Sequence, residues 1–231
     1  MKRSILILAA TALLSVSASA QLISERHNFA VGINGGMNMS SVSFNPKVKQ
    51  NTLNGSSFGV TLRYITEKYF SMICGVQMEI NYSTRGWNEK IEDGTENYYK
   101  HSFKYVEIPF LAHLAFGKDA TNKGFQFFIN AGPQFGYYLS DSVDKSADDA
   151  WDPSLRSPTS QYYLEVNKKF EYGIAAGTGV EMNTKIGHFI VEGRFFYGLS
   201  DIFPNTKKDY FDRSANTYMG VRAAYLFDLK K

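Results

Sequence analysis

The sequence predicts an all-β protein: an eight-stranded antiparallel up-and-down transmembrane β-barrel of the outer-membrane type. Three observations predict it. First, segment after segment alternates with a period of two, one face apolar and the other small or polar, which is a strand pattern. Second, the strands number eight and their connections alternate long and short, as in barrels with short turns at one end and long loops at the other. Third, aromatic residues make up 15% of the 231 residues and concentrate near the strand ends (Phe29, Phe70, Tyr82, Phe116, Phe125, Phe189, Tyr225, Phe227), where a barrel carries its interfacial girdles.

The pattern is clearest from Tyr105 to Leu139. The second half of that stretch sets Phe125, Phe127, Ile129, Ala131, Pro133, Phe135, Tyr137 and Leu139 against Gln126, Phe128, Asn130, Gly132, Gln134, Gly136 and Tyr138. Before it, the spacing predicts strands over 27–40, 57–66, 70–85 and 105–116. After it, the spacing predicts strands over 169–183, 188–199 and 216–227. Tight turns are expected at 67–69, 117–124 and 184–187. Long loops are expected at 41–56, 86–102, 141–168 and 200–215, rich in Asn, Gly, Asp and Pro.

Residues 1–20 read as a cleaved signal peptide: Lys2 and Arg3, an apolar run from Ile5 to Leu14, and Ala18-Ser19-Ala20 as the cleavage site. Residues 21–231 then form one barrel domain. Loss of Lys2 and Arg3 lowers the formal net charge from +3 to +1, which gives no electrostatic basis for nucleic-acid binding. After the signal the longest largely apolar run, Ile108 to Phe116, is too short for a spanning helix. A membrane role therefore requires a closed barrel, with outer-membrane lipid as its surroundings and both termini on the periplasmic side. A soluble barrel of lipocalin type shows the same alternation with its apolar face inward, and stays open as a periplasmic ligand-binding alternative.

With the apolar faces toward lipid, Arg63, Glu79, Glu107, Glu171, Glu181, Glu192, Arg194 and Arg222 point into the barrel. Eight strands leave room only for side chains, so these charges must pair. The expected result is a plugged, structural ionic core, with some of the five Glu near water or protonated because only three Arg face them. Catalytic and metal sites are expected to be absent, and no cofactor is implied. Cys74 is the lone cysteine, and His113 and His188 fall on inner faces of strands that are not neighbours. His27 and His101 complete the four histidines. Some outer-membrane barrels are lipid-modifying enzymes with a Ser-His pair or proteases with Asp and His on the rim. Here His101 and Ser102 are adjacent, so they face opposite ways along a strand. Aromatics in the polar loops are the remaining candidates for contact: Trp87, Tyr98 and Tyr99, an exposed Trp151 with Tyr162 and Tyr163, and Phe203, Tyr210 and Phe211. They either bind a partner or pack on one another above the rim.

Several segments carry a family resemblance: Tyr105-Val-Glu-Ile-Pro-Phe-Leu, Asn130-Ala-Gly-Pro-Gln-Phe-Gly-Tyr, Gly173-Ile-Ala-Ala-Gly-Thr-Gly-Val-Glu and Gly220-Val-Arg-Ala-Ala-Tyr-Leu-Phe. The chain resembles the PorT-like outer-membrane β-barrel proteins of Bacteroidota. The resemblance implies an eight-stranded outer-membrane barrel and no catalytic residues. The family name comes from a member that supports protein secretion, so envelope or secretion proteins become possible partners. The leading expectation is a barrel that displays four long loops for a structural or binding role. An accessory barrel of a secretion or envelope-assembly machine is the alternative. The chain departs from many bacterial barrels in ending on Asp-Leu-Lys-Lys after Phe227.

Overall fold

A computed structural model describes residues 23–69, 72–117, 124–147, 151–154, 156 and 158–230. The proposed signal peptide lies outside the described residues. The strands are β1 (Ile23–Asn45), β2 (Gln50–Asn51), β3 (Leu53–Tyr69), β4 (Met72–Glu89), β5 (Tyr99–Gly117), β6 (Gly124–Lys145), β7 (Phe170–Asn183), β8 (His188–Gly198) and β9 (Arg213–Lys230). All pairings are antiparallel. The order β4-β3-β1-β9-β8-β7-β6-β5 closes on itself through β4–β5, so eight strands form a barrel, and the two-residue β2 extends β4 at the loop end. Closure satisfies every strand edge, which a wall inside lipid requires.

Outward positions form a continuous apolar belt: Val106 to Phe116 on β5, Phe125 to Leu139 on β6, Phe58 to Tyr64 on β3 and Phe189 to Tyr197 on β8, with Leu199 just beyond it. Eleven residues from Val106 to Phe116 match the 9–11 that a tilted strand needs to cross a bilayer. The apolar face is the outer one, which excludes the soluble arrangement with an apolar interior.

Six of the sequence-based strands run longer than expected, β9 (Arg213–Lys230 against 216–227) among them. β1 continues to Asn45, β3 starts at Leu53, β4 continues to Glu89, β5 starts at Tyr99 and β6 continues to Lys145. The predicted loops at 41–56, 86–102 and 141–168 shrink accordingly. The cause is an inversion of polarity. Above the belt, Ser41, Ser43, Ser102 and Lys104 face out, while Val42, Phe44, Trp87, Tyr99 and Phe103 are buried inward. The turn expected at 67–69 is also corrected. Those residues remain in β3, which reaches the Tyr69–Met72 pair after a bulge between Ile65 and Glu67. The 184–187 turn is observed, closed by a bond from Thr184 N–H to the Gly187 carbonyl (3.0 Å), with Gly187 at φ 146°.

Two prolines mark the β5 and β6 walls. Pairing of β4 with β5 lapses between Met78–Phe110 and Asn81–Glu107, around Pro109. Pairing of β5 with β6 lapses between Pro109–Gln134 and Ala112–Ala131, beside Pro133. A proline supplies no N–H to a ladder, so each gap follows from the sequence.

The belt predicts a position-dependent cost. Val221→Arg, within the belt, should lower folding stability in lipid vesicles by about 2–4 kcal/mol. Ser43→Arg, above the belt, should cost close to nothing. Equal costs, measured by denaturant unfolding of the two variants, would contradict this placement of the bilayer.

Candidate functional site

The barrel offers two regions where charge and aromatic groups converge, the lumen and the cap above it. In the lumen the inward residues form three ionic tiers. Nearest the turns, Arg63 grips Glu181 with two bonds (2.5 and 2.9 Å), and His188 lies between Glu181 (2.7 Å) and Asp228 (2.8 Å). At mid-height Arg194 holds Glu79 with two bonds (2.7 and 2.8 Å) and also Glu192 (2.7 Å), while Arg222 reaches the same Glu79 (2.8 Å) and Asn34. Nearest the loops Arg85 bonds Glu171 and lies 3.2 Å from Glu107. Its guanidinium stacks 4.1 Å from the Tyr105 ring centroid. Bidentate Arg–carboxylate geometry is the form in which a buried charge can persist.

All eight predicted interior residues therefore meet in the lumen. Sequence reasoning misses a ninth, Arg85, although it shares parity with Gln77, Glu79, Asn81 and Ser83; it falls at the last residue of the expected strand. It makes the balance five Glu to four Arg. The expectation that some Glu sit near water is corrected, because all five are buried. His113 and His188 do share one small cavity with Arg63 and Glu181, although their strands are not neighbours. Across so narrow a lumen, non-adjacent strands face each other. Among the described residues no group of three metal-ligating side chains has the geometry to hold an ion.

Glycines make room for the tiers. A Cβ on Gly177 would lie 2.2 Å from Glu192 Oε1, and one on Gly136 would lie 3.1 Å from Glu171 Oε2 and 3.2 Å from Arg85 Nη2. Two lumen cavities measure about 20 and 10 Å³. Each holds about one water at most.

The cap closes the loop end. Trp87 and Phe203 are fully buried (0% exposed), as are Phe211 and Tyr99 nearly so. They pack with Val42, Phe44, Val48, Phe103 and Ile202, and Trp151 and Tyr162 cover them. Ring centroids lie 5.4 Å apart for Phe44–Trp87, 4.9 Å for Tyr99–Tyr162 and 5.2 Å for Trp151–Tyr162. At the mouth the Tyr162 hydroxyl donates to Glu89 (2.6 Å). Arg156 Nε donates to Asp93 (3.0 Å), and its guanidinium sits 4.5 Å from the Trp151 ring. Of the nine loop aromatics, Trp87, Tyr99, Phe203 and Phe211 are thus corrected from candidate contacts to core of the cap, and Trp151 and Tyr162 are half-buried. Tyr98 (41%) and Tyr210 (48%) are the exposed ones. The Tyr163 side chain lies outside the described residues.

Beneath the cap, His101 Nε2 lies 2.6 Å from Asp141, which also accepts from the Tyr138 hydroxyl. Burial pushes the His101 imidazole below its ordinary range, against the Asp141 carboxylate that works to raise it. Burial opposes ionisation of Asp141, but hydrogen bonds from Tyr138 and His101 hold its carboxyl below the usual value. Burial raises Glu89, outweighing its bonds from Tyr162 and Gln161. Ser102 stands on the outward face beside His101, so no Ser-His pair forms.

A closed, lipid-facing barrel with a filled lumen and a packed cap defines a small outer-membrane barrel protein. The sequence matches the outer membrane protein beta-barrel domain family over residues 19–204, and the chain belongs to that family. Its place is the outer membrane. No curated protein matches the sequence. Among solved structures it is similar to Neisserial surface protein A (12% identity, TM-score 0.46, covering 86% of this chain and 95% of that one) and to OprG from Pseudomonas aeruginosa (12%, 0.47, 88% and 97%). It is also similar to the attachment invasion locus protein Ail of Yersinia pestis (15%, 0.35, 86% and 98%).

Two predictions follow from the lumen and cap. Glu79→Ala removes the carboxylate that two guanidiniums share, leaving Arg222 with no carboxylate partner and Arg194 with Glu192 alone, and should destabilise the barrel by about 3–5 kcal/mol in denaturant unfolding followed by heat-modifiable gel mobility. A cost under about 1 kcal/mol would refute the tier. The second concerns pH. The unfolded imidazole titrates near 6.5 and the folded one lower, so below pH 7 the unfolded chain binds more protons and acid loosens the cap. Asp141 acts in the same direction at lower pH, whereas the raised Glu89 acts oppositely. Trp87 and Trp151, the only two tryptophans, both report on the cap. Between pH 7 and 5.5 their emission should shift to the red, and His101→Gln should flatten that shift. An identical response in the variant would refute the role of His101.

Proposed function

We propose that this protein is a non-conducting, non-catalytic outer-membrane barrel that holds a rigid cap of loops at the cell surface for binding. The observation that carries the reading is the cap. Four connections contribute to one aromatic core and leave Tyr98, Tyr210 and a lysine-bearing rim exposed. Loops on a rigid scaffold are where binding residues concentrate. The filled lumen supports the absence of conduction. Long loops at one end and short turns at the other support an orientation with the loops outside and both termini in the periplasm, after export by a cleaved signal peptide.

A place within the PorT-like group is supported by the Tyr105–Leu111 strand. There Glu107 pairs with Arg85 and Pro109 sits at the gap in the β4–β5 ladder. A role as accessory to a secretion or assembly machine would use the same rim to bind protein partners.

The test combines topology and conductance. In a Cys74→Ser background, Thr95→Cys and Asn205→Cys should react with a membrane-impermeant maleimide on intact cells, and Lys185→Cys only after the outer membrane is breached. The purified protein should give no ion-current steps in planar bilayers. The reverse labelling pattern would overturn the orientation, and stepwise conductance would overturn the plug.

A further inference from the structure

We infer that the outer wall carries a headgroup site for a phosphorylated glycolipid of the outer leaflet, in a cleft between the start of β7 and the chain that follows β8. The inference rests on the orientation proposed above. The cleft has a volume of about 510 Å³ and is lined by Lys168, Lys169, Phe170, Tyr172, Leu199, Ser200, Asp201 and Asn205. Its lower part is the lipid belt itself, because Phe170, Tyr172 and Leu199 are outward-facing and exposed. Its upper part carries two ammonium groups. The cleft is therefore amphipathic along the membrane normal, and it lies at the level where bilayer headgroups begin.

The cleft is built. The Tyr172 carbonyl accepts from Leu199 N–H (2.9 Å) and Ser200 N–H (3.3 Å), and Tyr172 N–H donates to Ser200 Oγ (3.0 Å). Lys168 Nζ donates to Asn205 Oδ1 (2.6 Å), a neutral amide rather than a carboxylate. The one acid in the cleft, Asp201, has both oxygens engaged, by Ser214 N–H (2.7 Å) and Asn205 Nδ2 (2.8 Å). Lys169 makes no ion pair among the described residues. Among the lining residues the balance is two ammonium groups against one occupied carboxylate; outside the lining, Asp209 feels the Lys168 charge but is engaged by the Thr206 N–H and hydroxyl (both 2.7 Å). Nearby, Arg213 Nη2 donates to the outward Tyr197 hydroxyl (2.6 Å), adding a cation on the same side of the rim.

This arrangement selects the ligand class. Ammonium donors at headgroup height recognise a phosphomonoester through charge-assisted hydrogen bonds. The apolar floor favours a molecule whose chains cover Phe170, Tyr172 and Leu199, which a soluble phosphate cannot do. A zwitterionic phospholipid offers one phosphodiester beside its own ammonium and satisfies the two lysines less well.

The test uses the full chain, folded in mild detergent, with native mass spectrometry as the readout. The probes are diphosphoryl lipid A, the same lipid dephosphorylated, and phosphatidylethanolamine. Diphosphoryl lipid A should be retained at least about tenfold better than either of the others. The Lys168→Glu/Lys169→Glu variant should lose that preference, and Lys168→Arg/Lys169→Arg should keep it. Both variants must retain the heat-modifiable gel shift, which separates loss of binding from loss of fold. Equal retention of the three lipids, unchanged preference in the charge-reversed variant, or displacement by millimolar inorganic phosphate would each overturn the site. The measurement is independent of cellular topology, so an inverted barrel would show in the maleimide pattern and leave the cleft's preference readable.

Discussion

The structure depends on one constraint: the polarity of the wall must reverse where the bilayer ends. Within the belt outward side chains meet hydrocarbon, so the outer face is predominantly apolar and the charged groups turn inward, the one mid-belt Thr178 hydroxyl being satisfied by the Phe128 carbonyl. Above the belt the same strands continue into water, where an apolar outer face would be exposed. β1 shows the switch on one strand, with Met37 and Met39 facing out, then Ser41 and Ser43, while Val42 and Phe44 turn in. β5 shows it in the opposite chain direction, from inward Tyr99 and Phe103 to inward Glu107 and His113. The barrel is thus inside-out in lipid and conventional in water, with Tyr105 and Arg85 at the join, stacked on each other.

That join explains why the lumen is ionic and the cap is aromatic. An eight-stranded lumen admits no bulk water, so each inward charge needs a partner: Glu192 finds Arg194 two residues along its own strand, and other pairs form across the barrel. Arg194 on β8 meets Glu79 on β4, and Arg63 on β3 meets Glu181 on β7. Such pairs link strands far apart in sequence and fix the barrel's register from inside. A hydrophobic lumen of equal volume could pack as stably, but it would remove the difference between faces that tells the wall which side meets lipid. The cap has the opposite problem. Its interior is above the bilayer, so apolar burial drives it, and loop residues such as Phe203 and Phe211 supply rings to complete the core begun by Trp87 and Phe103.

Much of this was legible from the sequence, and the rest was hidden for physical reasons. Period-two patterning finds strands where one face is apolar throughout, so the eight strands and the inward charges can be read directly. Reading for an apolar outer face fails where the face inverts. Val42, Trp87, Tyr99 and Phe103 then look like loop residues although their parity continues unbroken from the belt. Arg85 is lost for the same reason, at the last residue before the inversion. Convergence across the lumen is likewise invisible to a rule based on neighbouring strands, which keeps His113 and His188 apart when one cavity holds both. The loop aromatics could be found, but not which of them face water. That depends on where Trp151, Arg156 and Tyr162 sit over the mouth, set by the Arg156–Asp93 and Tyr162–Glu89 contacts.

The division between lumen and cap also bears on what such a barrel can do. A side chain committed to the lumen tiers is held by buried partners, and freeing it for catalysis would leave a buried charge unpaired. In the role proposed above, contact with another molecule falls to the rim. The rim is well prepared for it, because the cap orders the loops before any partner arrives. Binding to a pre-ordered surface avoids the cost of fixing loops on association. Tyr98 and Tyr210 stand on that surface, the Tyr98 N–H donating to the Ser146 hydroxyl (2.9 Å) and the Tyr210 ring packed edge-on against the buried Phe211 ring (5.0 Å between centroids). Lysines 168 and 169 stand at its lower edge, where protein, lipid and water meet. The interior aromatics are thus the support on which the exposed groups depend, and the ionic tiers below give that support a rigid base.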